Sequence, residues 1–423
     1  MKALINTAAK KETAVLFGVH TDNRNYIQDC TEDSMQELAL LAETAGAEVA
    51  GVIIQNRPSP DNATYLGEGK IFELKALCEA NDANIVICDD ELTGTQVKNI
   101  ENALDIRVID RSSLIMDIFA QRAKTREGQL QVELAQLRYF LPRLTGSFTG
   151  LSRQVGNSSI GGARRGPGET KLETDRRHIK SRIQTITEHL SKVHRHRNTQ
   201  RRQRVKQGIL QVSIVGYTNS GKSTLLNHLT NAGVLAEDKL FASLDPTAKK
   251  LTLPDGTNII IIDTVGFIRK LPHHLIKAFK ATLEETINAD MLLHVADASS
   301  QHLEDNIKVV EGILADLCAL DKPVLTVYNK IDLVEKTSNF VANKVEISAK
   351  TGAGIDDMLN TVCNMLPKIN KRVTVVIPYA KSEMVSTLYK NAHVFSEQHE
   401  EHGTKLDIII DKSLISIVSD YIV

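Results

Sequence analysis

The segment GYTNSGKS at 216–223 constrains the fold of this chain more than any other. It fits the pattern Gly-x-x-x-x-Gly-Lys-Ser and stands between an apolar run, QVSIV, and a helix-like run, TLLNHLT. In that setting the glycines let consecutive backbone N–H groups converge on phosphates, and the helix N-terminus adds its positive dipole end. An ordinary glycine-containing turn is the alternative, but it does not account for the strand before the segment and the helix after it. We therefore expect an α/β fold with a phosphate-binding P-loop.

Three further short motifs follow in order, each at the end of a strand-like run. DTVG (263–266) follows NIIII, NKID (329–332) follows PVLTVY, and SAK (348–350) follows KVEI. The Asp332 carboxylate can accept from both the N1–H and the exocyclic amine of guanine, and adenine does not offer that pair of donors. Each motif alone is commonplace. Four in this order at strand ends predict a guanine-nucleotide-binding P-loop domain.

The residues predicted to bind the nucleotide come from all four motifs. They are Gly216, Tyr217, Thr218, Asn219, Ser220, Gly221, Lys222, Ser223, Thr224, Asp263, Gly266, Asn329, Lys330, Asp332, Ser348, Ala349 and Lys350. Lys222 should reach the β- and γ-phosphates, and Gly266 should bring its N–H to the γ-phosphate. Asn329 should support its loop and contact the base, and the SAK segment should bring a backbone N–H to the guanine oxygen.

Magnesium is the expected cofactor of this site. The Ser223 hydroxyl and Thr247, in FASLDPT (241–247), are the predicted ligands, and Asp263 is expected to act through a water molecule. For Thr247 a β-turn at Asp245-Pro246 is an open alternative, because that turn forms whether or not the threonine binds metal. The predicted catalytic residues are Lys222, Thr247 and Gly266.

Phe267 follows DTVG directly. Ras-like GTPases carry at this position a Gln that orients the attacking water. A phenyl ring cannot hydrogen-bond that water. We therefore expect slow intrinsic hydrolysis that needs another group in trans or a rearranged loop.

The rest of the chain predicts three additional parts. Residues 1–115 alternate β-rich and helix-like runs, which indicates an N-terminal α/β subdomain with a mostly parallel sheet. In 116–207, apolar residues follow two a/d seams, which predict an antiparallel helical hairpin with a Gly-rich loop at 145–168. The seam residues are Leu130, Leu134, Leu137, Leu141 and Leu144 in one helix, and Leu172, Ile179, Ile183, Ile186, Leu190 and Val193 in the other. The predicted fold class is therefore α/β, with a P-loop GTPase domain at 208–367 and a small C-terminal α/β domain at 368–423.

The net charge of −1 hides a strong partition of charge. Residues 116–207 carry 20 Lys and Arg against 7 Asp and Glu, a net +13, so the remainder carries −14. A solvated helical face is one interpretation. A basic hairpin with an arginine-bearing tip on an acidic body is also typical of a nucleic-acid-binding surface, and its contacts should be mainly to phosphate.

Two features bear on location. The five cysteines are dispersed with no Cys-x-x-Cys pair, which favours free thiols in a reducing compartment. The N-terminal segment lacks a secretory pattern, and no run reaches the roughly 18 apolar residues that span a bilayer. We expect a cytoplasmic protein that does not insert into membranes.

Several longer segments resemble the HflX family of ribosome-associated GTPases, or ribosome-splitting factors. They are GYTNSGKSTLLN, LFASLDPT, DTVGFIRKLPHHLIKAFKATLEET and HVADAS in the P-loop domain, GPGETKLETDRR (166–177) and YLGEGK before it. The resemblance covers residues 65–370. It implies a monomer that binds GTP and GDP, associates with the 50S ribosomal subunit and its 23S rRNA, and splits 70S ribosomes, in some members under heat stress. It also implies that Phe267 is a family trait and that the ribosome stimulates hydrolysis.

The resemblance places the RNA-contacting residues in and beside the hairpin loop. They are Arg153, Arg164, Arg165, Lys171, Arg176 and Arg177. Two departures stand out: the switch segment reads Thr247-Ala248-Lys249 rather than Thr-Thr-Arg, and the stretch 154–165 is longer and more polar than the usual tip.

The sequence leaves two additional ligands open. Asn219 matches the P-loop Asn of potassium-activated GTPases, which implies a K⁺ site, and a loop-stabilising Asn is the alternative. GEGK at 67–70 raises ATP binding by the N-terminal domain, although a Gly-rich turn before a helix fits it better.

Two other function classes stay open. One is a GTP-dependent switch that acts on a protein effector and binds no RNA. The other is an RNA-remodelling NTPase with secondary ATP use by the N-terminal domain.

Overall fold

The computed structural model describes residues 12–21, 32–144, 167–206, 209–230, 240–241, 246–270, 285–319, 321–334, 344–366, 370–400, 402–411 and 418–422. The strands are β1 (Thr13–His20), β2 (Glu48–Asn56), β3 (Ile85–Cys88), β4 (Arg107–Asp110), β5 (Leu210–Gly216), β6 (Thr247–Thr252), β7 (Asn258–Asp263), β8 (Met291–Asp297), β9 (Val324–Asn329), β10 (Lys344–Glu346), β11 (Asn370–Ile377), β12 (His393–Glu400) and β13 (Gly403–Asp411). The helices are α1 (Glu32–Ala45), α2 (Glu68–Ala80), α3 (Gly94–Leu104), α4 (Arg111–Arg122), α5 (Arg126–Arg143), α6 (Pro167–Lys206), α7 (Lys222–Thr230), α8 (Leu303–Asp316), α9 (Ile355–Met365) and α10 (Ser382–Asn391).

The chain divides into two compact units. The first unit comprises residues 1–194, 237–245 and 265–283, and the second unit comprises 195–236, 246–264 and 284–423. The chain therefore passes from the second unit to the first between Thr264 and Val265, inside the DTVG motif.

The first unit contains a parallel sheet in the order β2-β1-β3-β4. The central strands β1 and β3 are buried on both faces, which explains their continuous apolar sequence. Val15, Phe17 and Val19 of β1 pack in one core with residues of α2 and α3, because alternate residues of a strand point to the same face. The predicted α/β subdomain with a parallel sheet is confirmed.

Helices α5 and α6 pack along the predicted apolar seams. Leu130, Leu134 and Ile186 form a buried cluster, and Leu137, Ile183 and Leu190 pack against it. Arg182 of α6 donates two hydrogen bonds to the Glu133 carboxylate of α5, at 2.6 and 2.9 Å. Residues 145–166 of the Gly-rich connection between the two helices lie outside the described residues. Helix α4 spans residue 115, where the sequence predicts the boundary between the N-terminal subdomain and the hairpin.

The second unit is built on a sheet in the order β10-β9-β8-β5-β7-β6. All neighbouring strands are parallel except β6, which pairs antiparallel with β7 at the edge. The carboxyl ends of β5, β7, β8 and β9 therefore meet at one edge of the sheet, where open α/β sheets bind their ligands. These strand ends carry the P-loop, DTVG, HVAD and NKID segments.

The C-terminal part of the second unit is a separate antiparallel sheet in the order β11-β13-β12. Val375, Ile377, Leu406 and Ile408 are fully buried in its core, and Leu388 of α10 joins them. This is the small C-terminal α/β domain that the sequence predicts. Over the described ranges, no helix is both long and apolar enough to cross a bilayer.

Candidate functional site

The P-loop connects the buried strand β5 to the first residue of α7, Lys222. Its geometry depends on two close approaches of the backbone. A Cβ on Gly216 would lie 2.2 Å from the Val295 carbonyl oxygen, and one on Gly221, whose φ is +92°, would lie 2.2 Å from Asn329 Nδ2. Both positions therefore exclude a side chain.

Lys222 is buried at the start of α7, with 5% of its surface exposed. Its Nζ donates a 2.7 Å hydrogen bond to the Tyr217 carbonyl oxygen, so it lies against the loop. Burial lowers the pKa of Lys222 to about 8, and the negative charge of Asp263 partly opposes that shift. A phosphate group beside this ammonium would favour its charged form.

A hydroxyl and a carboxylate converge next to this lysine. Ser223 Oγ donates a 2.7 Å hydrogen bond to Asp263 Oδ2, and Asp263 is 1% exposed at the end of β7. Thr247, the first residue of β6, is the registered neighbour of Asp263 across the β6–β7 pair. Oxygen donors of this kind suit Mg²⁺, which binds one or two carboxylates or hydroxyls together with substrate phosphates.

No group of three or more His, Cys, Asp or Glu side chains able to hold a metal occurs among the described residues. Ser223, Thr247 and Asp263, together with the phosphates of the nucleotide, stay the predicted magnesium ligands. P-loop nucleotide sites generally use Mg²⁺, and these side chains fit it.

Asn329 ties the base-binding loops to the P-loop. Its Nδ2 donates a 2.8 Å hydrogen bond to the Ser220 carbonyl oxygen, and its Oδ1 accepts a 2.9 Å bond from the Ala349 N–H. The side chain is only 2% exposed. The predicted supporting role of Asn329 is thus visible as one amide group that joins three motifs.

The Asp332 carboxylate is held in place as a hydrogen-bond acceptor. Ser348 Oγ donates a 2.6 Å hydrogen bond to Asp332 Oδ1, and this bond is the main reason why the pKa of Asp332 lies below its ordinary value. The carboxylate is therefore ionised at neutral pH, which is the form that can accept two guanine donors.

Sequence reasoning missed Asp297. This residue ends β8, and its Oδ2 lies 2.8 Å from Lys330 Nζ of the NKID motif. The available signal was its position, because the HVAD run places an Asp at a strand end in the same way as DTVG and NKID do.

The DTVG motif is divided between the units. Thr264 Oγ1 donates a 2.6 Å hydrogen bond to the Ile214 carbonyl oxygen of β5, which fixes the start of the motif. Gly266 and Phe267 belong to the first unit, and the Phe267 side chain is 1% exposed. A phenyl group buried in this way takes no part in orienting water.

The predicted RNA-contacting residues and Asn219 lie in different parts of the chain. Arg153, Arg164 and Arg165 lie outside the described residues, and Lys171, Arg176 and Arg177 belong to α6. Asn219 is exposed in the left-handed region at φ +59°, a conformation that Asn tolerates well, and its K⁺ role stays a prediction.

GEGK begins a helix. Gly67 is the N-cap of α2, its N–H donates a 2.8 Å hydrogen bond to Gln55 Oε1, and Lys70 pairs with Glu73 at 2.6 Å. These contacts agree with the Gly-rich turn rather than with a phosphate loop.

The site combines a P-loop at the end of a strand, a buried lysine, a hydroxyl–carboxylate pair beside that lysine, and a fixed carboxylate able to accept from guanine. These features define a P-loop GTPase, an enzyme that hydrolyses GTP to GDP and phosphate. Four family models match the chain in succession. They are described as GTP-binding GTPase N-terminal (32–120), GTP-binding GTPase middle region (122–204), 50S ribosome-binding GTPase (211–330) and HflX C-terminal domain (332–414).

Curated relatives from the same family align with this chain over nearly its whole length. The chain is 50% identical to the GTPase HflX of Caldanaerobacter subterraneus subsp. tengcongensis over 94% of this chain and 90% of the relative. It is 42% identical to the GTPase HflX of Escherichia coli K12 over 93% of this chain and 92% of the relative. A solved GDP complex of a GTP-binding protein from Sulfolobus solfataricus aligns at 23% identity and a TM-score of 0.42, over 84% of this chain and 98% of that one. The chain belongs to the HflX family of GTPases.

Proposed function

We propose that this protein binds the 50S ribosomal subunit through its helical arm, which comprises α5, α6 and the Gly-rich loop at 145–168, and uses GTP binding and hydrolysis to split 70S ribosomes. Rescue of ribosomes under heat or other stress is the role to which this activity is suited. The observation that carries the proposal is helix α6, in a chain whose P-loop domain matches a model described as a 50S ribosome-binding GTPase.

Helix α6 is 40 residues long and strongly basic. Its sequence holds 12 Lys and Arg against 4 Asp and Glu, and Arg177 and Arg195 are exposed. Within the described part of the helix, Arg182 pairs with Glu133 of α5 and Arg177 pairs with Glu173. A long basic helix of this kind favours contacts to phosphate, and such contacts supply much of the affinity of proteins for nucleic acids.

In the proposed mechanism, the nucleotide acts on the helical arm through the segment that follows Gly266. The segment that follows Gly266 is anchored inside the first unit, which also holds α5 and most of α6. Lys270 Nζ lies 2.5 Å from Asp89 Oδ2 and 2.8 Å from Asp90 Oδ1, and all three side chains are 9% exposed or less. A shift of Gly266 toward the γ-phosphate would therefore pull on a segment fixed at the carboxyl end of β3.

The ion pairs of Lys270 with Asp89 and Asp90, which we call the anchor, stabilise the charged form of the lysine. Burial by itself would lower the pKa of Lys270, but the carboxylates of Asp89 and Asp90 outweigh it and raise that pKa. Arg111 joins the same cluster, since its Nη1 donates a 2.9 Å hydrogen bond to Asp89 Oδ1 and its Nη2 donates to the Arg269 carbonyl oxygen at 3.3 Å. Removing one charge from a buried, paired cluster is costly, so the anchor is a firm point of attachment.

In the proposed cycle, this chain's residues perform mostly positioning and electrostatic work. Lys222 and the P-loop N–H groups would neutralise the phosphates, and Ser223, Thr247 and Asp263 would hold a magnesium ion, which would offset charge on the transferred phosphoryl group. Because Phe267 cannot orient water, intrinsic turnover is slow and contact with the ribosome supplies the missing stimulation.

Binding to the subunit is tested by co-sedimentation with 50S particles at increasing salt. We expect salt-sensitive binding that Arg176→Ala and Arg177→Ala each weaken, whereas Lys308→Ala on α8, which also removes one positive charge, serves as the charge-matched control with no effect. No co-sedimentation at any salt would instead support a switch that acts on a protein effector.

The coupling is tested with Lys270→Met, and Lys250→Met on the edge strand β6 is the control. In the parent protein, 50S affinity should be higher with a non-hydrolysable GTP analogue than with GDP, and Lys270→Met should shrink that ratio. Asp90→Asn should have the same effect. If both variants are folded and keep the parent ratio, the nucleotide does not act through this anchor.

A further inference from the structure

Asp297 lies where the two central strands of the second unit end together. It is the last residue of β8, and its registered neighbour on the parallel strand β9 is Asn329, the first residue of NKID. The backbone continues this pairing, because the Ala298 N–H donates a 2.8 Å hydrogen bond to the Asn329 carbonyl oxygen. The guanine-recognition turn thus begins directly beside Asp297.

Both carboxylate oxygens of Asp297 are in use. Oδ1 accepts from the Ser299 N–H at 3.0 Å and from Ser299 Oγ at 2.6 Å, and Oδ2 lies 2.8 Å from Lys330 Nζ. The Asp297 and Lys330 side chains are 23% and 24% exposed. The carboxylate is therefore fixed by its own turn before it meets the lysine.

Lys330 adopts a conformation that is unfavourable for its residue type. Its φ and ψ are 66° and 34°, in the left-handed region, where the Cβ of an L-residue is crowded. A lysine persists there only if its surroundings hold it. The contacts that hold it include the ion pair with Asp297, the hydrogen bonds of Asn329 on the preceding residue, and the 3.0 Å bond that the Lys330 carbonyl oxygen accepts from the Leu333 N–H.

The backbone of Lys330 determines where Asp332 lies. Residues 331–333, which follow Lys330, form a short 3₁₀ turn. A change in the backbone angles of Lys330 would therefore move the whole turn, and the Asp332 carboxylate with it. Two further contacts hold the turn from its other side, because Ser348 Oγ donates to Asp332 and the Ile331 N–H donates a 3.3 Å hydrogen bond to the Ile347 carbonyl oxygen.

We propose that Asp297 is a positioning residue for guanine specificity, which acts through Lys330 to hold the NKID turn so that Asp332 faces the base. This inference rests on the GTPase activity of the family and is independent of the ribosomal role proposed above. A simple structural salt bridge is the competing explanation, and it would affect stability or all nucleotides alike.

The test compares binding of GDP with that of IDP, which lacks the exocyclic amine. In Asp297→Asn the Oδ1 acceptor for Ser299 is retained, and the charge that holds Lys330 is lost. We expect GDP affinity to fall about tenfold or more, chiefly through faster dissociation, because hydrogen bonds that involve charged groups contribute more than neutral ones. Affinity for IDP should fall less, so the GDP-to-IDP preference should shrink.

Three other variants complete the design. Lys330→Met should reproduce the loss of preference, and the double variant should be no worse than the more affected single variant, since both remove one interaction. Asp290→Asn is the matched control, because this Asp precedes β8 at its opposite end and accepts a 2.8 Å hydrogen bond from the Gln211 N–H. It should leave the preference unchanged even if it lowers the melting temperature.

The outcomes separate the two explanations. If Asp297→Asn and Lys330→Met are folded and retain the parent GDP-to-IDP preference, Asp297 has no role in specificity and the proposal is wrong. If both affinities fall equally in the two variants, the pair is structural only. Neither result bears on ribosome binding, because the assay contains no ribosomes.

Discussion

Replacing Asn329 by Ala should weaken nucleotide binding strongly, because one buried amide links two loops of the site. The amide joins the Ser220 carbonyl oxygen to the Ala349 N–H, and it is buried between the two loops. Alanine removes both hydrogen bonds and leaves a donor and an acceptor without this partner. The P-loop and the SAK loop then lose the link that sets their separation.

The size of the effect follows from the two bonds. Leaving a buried N–H or C=O without its partner costs about 1–3 kcal/mol, and this substitution leaves one of each. If the whole cost of about 2–6 kcal/mol falls on the nucleotide complex, the GDP dissociation constant rises roughly 30-fold to 20,000-fold.

Stopped-flow binding of a fluorescent GDP analogue measures this constant directly. Asn258→Ala is the control, since its side chain is exposed on β7 and accepts one hydrogen bond from Thr252 Oγ1 at 2.9 Å. The control should change affinity by less than about twofold, because exposed hydrogen bonds contribute little beyond what water supplies. A folded Asn329→Ala protein that binds GDP as tightly as the parent would refute the reasoning.

Three other predictions concern the same unit. Gly221→Ala should weaken GDP binding as Asn329→Ala does, because its Cβ would lie 2.2 Å from Asn329 Nδ2 at a φ of +92°, and normal binding would show that the loop can rearrange. Burial, and secondarily the Lys222 charge, lower the pKa of His294 to about 4. The neutral imidazole therefore contributes its full stability above about pH 6.5, and the free energy of unfolding declines by up to about 3 kcal/mol as the pH falls toward 4. Urea unfolding of His294→Leu should show a weaker dependence of that free energy on pH between these values. Since the pKa of Lys222 is about 8 and phosphate raises it, GDP binding at about pH 8.5 should take up a proton, and calorimetry that finds no dependence on the buffer's ionisation enthalpy would contradict this.

The sequence predicts the placement of the four motifs at strand ends well, because each motif is local. The P-loop and the three later motifs each follow a buried strand, and parallel strands carry their carboxyl ends to one edge without additional information. The a/d pattern likewise predicts the contact between Leu134 and Ile186, since the period of a helix decides which residues share its face.

The parts that sequence reasoning missed depend on pairs distant along the chain. Lys270 meets Asp89 and Asp90 from about 180 residues away, and no periodic pattern marks such an ion pair in advance. Asp297 and Lys330 are closer, but their pairing follows from the order of β8 and β9 in the sheet and from a left-handed lysine. The antiparallel edge strand β6 was also unforeseen, because its exposed, lysine-bearing sequence lacks the apolar run of a central strand.

GTP turnover with and without purified 50S subunits tests the central claim most directly, measured for the parent protein and for a variant that lacks residues 146–167 of the basic arm. The account predicts slow turnover alone, strong stimulation of the parent by 50S but not by 30S subunits, and loss of that stimulation in the deletion variant with its basal rate retained. A parent rate that 50S subunits leave unchanged, or full stimulation of the deletion variant, would contradict it.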